Sequence, residues 1–138
     1  MAMVNPETVS ESFILWLENQ NVATFNDDLY LNQVPDSAQD KCFWVITSGG
    51  GTVQKLKTGE RMQQYFISLY YRSSSGRDVE RTLSAVAELV DTPTCFQLEG
   101  FETIEADATQ YPSDNDVDNE ERRVAMLQAN VLIYKKTS

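Results

Sequence analysis

Three aspartates at alternate positions, Asp114, Asp116 and Asp118, followed by Glu120 and Glu121, form the densest group of metal-capable side chains in the sequence. Acids at this spacing open an EF-hand loop, where they supply oxygen ligands to calcium. The analogy stops after the first turn. The sixth position of such a loop is a glycine and here it is Asn119; the twelfth is a bidentate glutamate and here it is Ala125. No helical periodicity flanks the run. The five acids therefore read as a solvated acidic loop, suited to face a channel or a basic partner.

The opposite charge gathers at Lys55, Lys57 and Arg61. Alone these residues read as an exposed basic hairpin; beside acidic surface on another copy or another protein they become a natural contact. Three charges are too few for a nucleic-acid footprint, and Arg122-Arg123 serve to neutralise the acids before them. Trp44, Tyr65, Tyr70 and Tyr71 raise the question of a stacking platform for bases or sugars. Without a flanking basic stripe they read instead as core or interface residues on strands.

Other chemistry is excluded by composition. The chain has no histidine, which removes His-based triads, Cys-His dyads and His-ligated zinc. Neither GxxxxGK[ST] nor GxGxxG occurs, so both common phosphate-binding loops are missing. Cys42 and Cys95 stand alone beside Phe43 and Phe96 and read as small buried hydrophobes. No catalytic, metal or cofactor residue is expected, and the chain reads as a non-enzymatic subunit.

A length of 138 residues, 41% of them hydrophobic and 23% charged, is that of one folded domain spanning 1–138. No apolar stretch approaches the ~20 residues of a membrane span. The start, Met1-Ala2-Met3-Val4-Asn5-Pro6, lacks the basic and apolar parts of a signal peptide, which predicts a cytosolic protein. A formal net charge of −10 opposes binding to nucleic acid or anionic membranes. It also suits a surface that lets DNA pass without sticking.

The elements that must position these groups follow from periodicity. Asn5 as cap, Pro6 at the first helical position and Val9, Phe13, Trp16 and Leu17 at helical spacing predict a helix to about Asn19. Leu29-Tyr30-Leu31 and the nearly continuous apolar run Cys42–Thr47 predict two strands, the second buried on both faces. Residues 52–60 read as a mobile basic loop. Met62–Arg72 alternates as a strand, with Tyr65, Ile67, Leu69 and Tyr71 on its apolar face. Ser73-Ser74-Ser75-Gly76 then caps a helix whose face is Val79, Leu83, Val86 and Val90, the order of a β–α–β unit. Cys95–Leu98, Phe101–Ala108 and Val124–Tyr134 predict further strands, the last with Gln128 and Asn130 on a polar side. The expectation is an α/β domain with a mixed sheet and two helices packed on one face.

In this order the pieces resemble the tail terminator proteins of long-tailed bacteriophages. The likeness rests on the first helix with Trp16-Leu17, then Asp28-Leu29-Tyr30-Leu31-Asn32-Gln33-Val34-Pro35, and on Cys42-Phe43-Trp44-Val45-Ile46-Thr47-Ser48-Gly49-Gly50. It continues through Gln64–Tyr71, Arg72-Ser73 and the helix Asp78–Val90, and through Asp118–Arg123 leading into Gln128-Ala129-Asn130-Val131. The family often carries a Gly-Arg-Asp style turn before its last strand, where this chain has the longer, more acidic Pro112–Glu121.

The resemblance implies a homo-hexameric ring at the head-proximal end of the tail tube, in the tail-neck region of a virion assembled in the host cytoplasm. Its partners would be the tail tube protein and the head-completion or neck protein, with genome DNA passing through the lumen unbound. Asp114, Asp116, Asp118, Glu120 and Glu121 would border that lumen; Lys55, Lys57 and Arg61 would contact the tube or a neighbouring subunit. Two alternatives stand beside this reading: a neck adaptor on the portal side, and a non-viral cytosolic ligand-binding α/β domain. An enzyme would need a perturbed carboxylate pair in a closed apolar pocket.

Overall fold

Alternation in the strands and three- and four-residue steps in the helices bury one shared set of side chains. The structure is a computed structural model describing residues 5–55, 61–92, 94–111 and 122–135. In chain order it contains α1 (Val9–Asn19), β1 (Leu29–Leu31), β2 (Cys42–Lys55), β3 (Arg61–Ser73), α2 (Gly76–Val90), β4 (Phe101–Tyr111) and β5 (Arg123–Lys135). The strands make one sheet in the order β1-β2-β3-β5-β4. Only β1, beside β2, pairs in parallel; the others are antiparallel. Since β3 and β4 both run against β5, they are parallel to each other. The chain thus passes from β3 through α2 to β4 with β5 lying between them, a split β–α–β unit.

Both helices pack on one face of this sheet. α1 lies over β1 and β2, and α2 over β3, β5 and β4. Beneath them sit Phe43 and Val45 of β2, Ile67, Leu69 and Tyr71 of β3, and Ala125, Leu127, Ala129, Val131 and Ile133 of β5, all buried. Phe13, Ile14 and Leu17 of α1 and Val79, Leu83, Val86 and Val90 of α2 close the same cluster from above. Small residues under α2, Ala125 and Ala129 with the half-buried Ala106 and Ala108, leave room for its valines and leucine.

Local chemistry explains where the elements begin and bend. α1 is capped by Thr8: its Oγ1 accepts from Glu11 N at 3.2 Å, and Glu11 Oε1 accepts from Thr8 N at 3.1 Å. This reciprocal pair displaces the predicted start at Asn5 and Pro6, because Asn5 takes a positive φ of 52° outside the helix. Ser75 caps α2, its Oγ accepting from Asp78 N at 3.3 Å. Gly49, at φ +97°, sits beside a register shift in β2; a Cβ there would stand 3.0 Å from Gln64 O and 3.3 Å from the Phe66 ring.

Further expectations need correction. β2 extends to Lys55, so residues 52–55 are strand rather than loop; pairing with β3 holds them. Its first half is buried on one face only, since Trp44 is half-buried and Ile46 is 40% exposed. Residues 95–98 form no strand. Cys95 N and Phe96 N both donate to Thr92 O, at 2.9 and 3.0 Å, winding the segment under α1. There Phe96 meets Trp16 edge-on with centroids 4.8 Å apart, and Trp16 Nε1 donates to Cys95 O at 3.0 Å. Alternating apolar residues thus fill the gap between α1 and the sheet instead of joining a ladder. Cys42 is buried as expected, whereas Cys95 is half-buried, its Sγ donating to Gln20 Oε1 at 3.3 Å.

Leu69 is fully buried on β3, within the core cluster between the sheet and its helices. Leu69→Ala is expected to cost about 2–5 kcal/mol, read as a lower midpoint of urea unfolding with an unchanged slope.

Candidate functional site

The strands that bracket the two charged segments end at opposite sides of the sheet. Lys55 pairs with Arg61 at one end of the β2–β3 hairpin, next to the Met62–Tyr134 pair. At the other end Ser73 pairs with Arg123, and β4 finishes at Tyr111 beside Met126. From Met62 to Ser73 the strand spans about 36 Å. Lys57, Asp114, Asp116, Asp118, Glu120 and Glu121 lie outside the described residues, as do the side chains of Lys55 and Arg61. What the structure places is their anchors: the strand ends that flank the basic segment and those that flank the acidic one lie at opposite limits of the sheet.

At the Ser73 end, a polar network ties four elements together. Arg72 donates from Nε to Asp40 O at 3.2 Å and from Nη2 to Gln39 O at 3.0 Å. Arg122 Nη1 pairs with Asp40 Oδ1 at 3.3 Å. The Tyr71 hydroxyl donates to Asp78 Oδ2 at 2.7 Å across the turn from β3 into α2. Lys41 Nζ approaches the same oxygen at 3.6 Å, and Thr82 Oγ1 stands 3.5 Å from Oδ1. Asp78 also sits in the first turn of α2, where the helix dipole favours a negative charge.

These contacts set the titration of the pair. The hydrogen bond from Tyr71 holds the Asp78 carboxyl below the ordinary carboxylate range against its partial burial; Ser73 and Lys41 act in the same direction. Burial pushes the Tyr71 hydroxyl well above its usual value, and the bond to Asp78 adds to that. The arrangement locks a strand to a helix. It leaves a phenol that does not ionise at neutral pH and a carboxylate already engaged, which is structure rather than acid–base chemistry. Periodicity did not reveal it, because Tyr71 and Asp78 belong to different elements; the Ser73-Ser74-Ser75 turn between them was the available signal.

Among the described residues the rest of the surface offers few reactive groups. A groove of about 490 Å³ lies between the start of α1 and the β2–β3 hairpin, lined by Glu7, Ser10, Thr47, Gln63, Tyr65 and Phe101 among others. Its one titratable carboxylate is Glu7, and the Ser10–Thr47 hydroxyl pair is closed on itself at 2.6 Å. Among the described residues no three His, Cys, Asp or Glu side chains gather as metal ligands. None of the described helices is long and apolar enough to cross a membrane.

The face of the sheet without helices is the other large feature. Register lines its side chains in cross-strand rows: Trp44, Tyr70 and Met126; Ile46, Ser68, Gln128 and Thr109; Ser48, Phe66, Asn130 and Asp107. The Trp44 and Tyr70 rings stack with centroids 5.3 Å apart and planes 4° from parallel. The aromatic residues expected to be core or interface therefore divide. Tyr71 packs against Phe43 under the helices, centroids 4.4 Å apart, while Trp44 and Tyr70 face away from them.

A model of the bacteriophage tail terminator protein family matches residues 16–135, from the middle of α1 to the end of β5. The chain belongs to that family. No curated protein matches the sequence. Membership makes this tail terminator family chain a structural protein of a phage tail, working among other tail and virion proteins. The mixed five-stranded sheet with two helices agrees with a small domain of that kind.

The Tyr71–Asp78 lock predicts a pH dependence of stability. Asp78 ionises more readily folded than unfolded, so its contribution is present above the ordinary carboxylate range near pH 4 and lost as pH falls below it. Tyr71 loses its proton less readily when folded, so its contribution is present below about pH 10 and lost as pH rises beyond. Denaturation midpoints across pH should fall at both extremes, and Asp78→Asn should flatten the acid side.

Proposed function

We propose that this chain caps the head-proximal end of the phage tail tube, ending tube growth and presenting the surface to which the head joins. The observation that carries the reading is the match to the tail terminator family over residues 16–135. The acting unit is a ring of six copies, with the tail tube protein on one side and the head-completion or neck protein on the other.

A cap needs two unlike ends. One must match the last ring of the tube, and the other must refuse a further ring. The strand ends that flank the two charged segments stand a length of β3 apart, which supports such a difference. Lys55, Lys57 and Arg61 are the contact to the tube or to a neighbouring subunit. Asp114, Asp116, Asp118, Glu120 and Glu121 border the lumen, where like charge keeps the exiting genome off the wall. The formal net charge of −10 acts in the same sense.

The test is electron microscopy of a lysate from a phage carrying a stop codon in this gene. Overlong, headless tails beside filled, tailless heads are expected. Tails of normal length that fail to join heads would make the chain a neck adaptor, and normal virions would remove the virion role. Joint replacement of Lys55, Lys57 and Arg61 by Ser should reproduce the overlong tails. Changing the five acids to Asn and Gln should leave capping intact and slow DNA ejection. Unaltered tails in the first variant, or unaltered ejection in the second, would reject that assignment.

A further inference from the structure

We propose that the helix-free face of the sheet, centred on the stacked Trp44 and Tyr70 rings, is the surface on which a second copy of this chain packs. The identity of the occupant rests on the ring reading above; the surface itself rests on the arguments that follow.

The first is chemical. The middle of the face carries Trp44, Ile46, Phe66, Tyr70, Met126 and Leu132, interleaved with Ser68, Gln128 and Asn130 and with no charge between them. Charged groups stand at its margins: Arg72 at one corner, and Glu102, Glu105 and Asp107 along β4. A neutral centre rich in aromatic residues and methionine inside a charged rim is the composition of an interface core. The side chains shield one another only in part, and Ile46 remains 40% exposed.

The second is electrostatic. A chain of net charge −10 repels its own copies, so they meet best where charge has been withdrawn. The outer side of α2 does not qualify, because it presents Arg77, Glu80, Arg81 and Glu88. The helix-free face does.

The third is size. The four strands β2, β3, β5 and β4 lie side by side. At about 4.8 Å per strand and about 36 Å of length, they form a face of roughly 700 Å². A stable contact takes about 800 Å² from each partner, so a second copy covering this face and its rim reaches that size.

The fourth excludes the obvious competitor, extension of the sheet from its β4 edge. β4 is broken by a register shift between Thr103 and Glu105. Its outward Ala108 N–H is already taken by Asp91 Oδ1 at 2.9 Å. Three acids line the strand as well. An edge blunted in these ways does not template pairing with another chain.

The experiment measures the mass of the purified full chain by analytical ultracentrifugation over a concentration series. Wild type is compared with Ile46→Lys, Met126→Lys and the charge reversal Glu88→Lys on α2. Wild type and Glu88→Lys should associate equally, while either lysine on the sheet face weakens association about tenfold or more. Ile46 is the safer site, being the most exposed, and circular dichroism verifies that each variant is folded. Folded Ile46→Lys that associates like wild type would overturn the proposal, as would a wild-type chain that stays single at every concentration. So would Met126 protected from peroxide by added tails but never by more of the same chain, since the occupant would then be a tube subunit. The two readings fail separately: a single-copy wild type with overlong nonsense-phage tails overturns this contact alone, whereas association through this face with normal tails overturns capping alone.

Discussion

The strand β3 is hydrogen-bonded on both edges along nearly its whole length, to β2 on one side and to β5 on the other. Strands held on both sides cannot slip by one residue without turning Ile67, Leu69 and Tyr71 out of the core. That constraint fixes the register of β2 and β5, and through β5 that of β4. It also fixes the sites where the helices dock. α1 closes over the β1–β2 side, and α2 leaves β3 through the Ser73-Ser74-Ser75 turn to close over the other. The Tyr71–Asp78 bond sits at that departure point and sets the position of α2 relative to the strand it has just left.

With both helices committed to one face, the opposite face is left to the strands alone. A sheet in a monomer commonly turns such a face polar. Here Trp44, Ile46, Phe66, Tyr70 and Met126 occupy it, so the chain has in effect two apolar surfaces and covers one of them itself. This is the pattern of a subunit rather than of a self-sufficient domain.

The architecture was legible because its signals are local. Alternation marked β3 and β5, four-residue spacing marked α2, and the buried residues on each are those the periodicity selects. The misreadings occurred where tertiary contacts override local preference. Asn5 and Pro6 make a plausible helix start, but the Thr8–Glu11 exchange satisfies more backbone donors three residues further on. Cys95–Leu98 alternates like a strand, yet the space under α1 takes Phe96 and Leu98 as a plug. Cys42–Thr47 is so apolar that burial on both faces was the natural inference, because the sequence does not say that no helix covers the second face. The charged segments were legible as segments. The separation of the strand ends that anchor them follows from topology, which no window of sequence contains.

That separation gives physical content to family membership. Under the capping role proposed above, the chain must recognise the tube at one end and differ from it at the other, and a sheet keeps its two limits apart. Antiparallel pairing places the β2–β3 and β4–β5 connections at opposite limits of the same rigid ladder. Charge can then vary in either connection without disturbing the core between them. The core, in turn, follows the local rules of strand alternation and helical spacing. Charge carried by the segments that join β2 to β3 and β4 to β5 is thus set apart in the sequence from the side chains that hold the sheet to its helices.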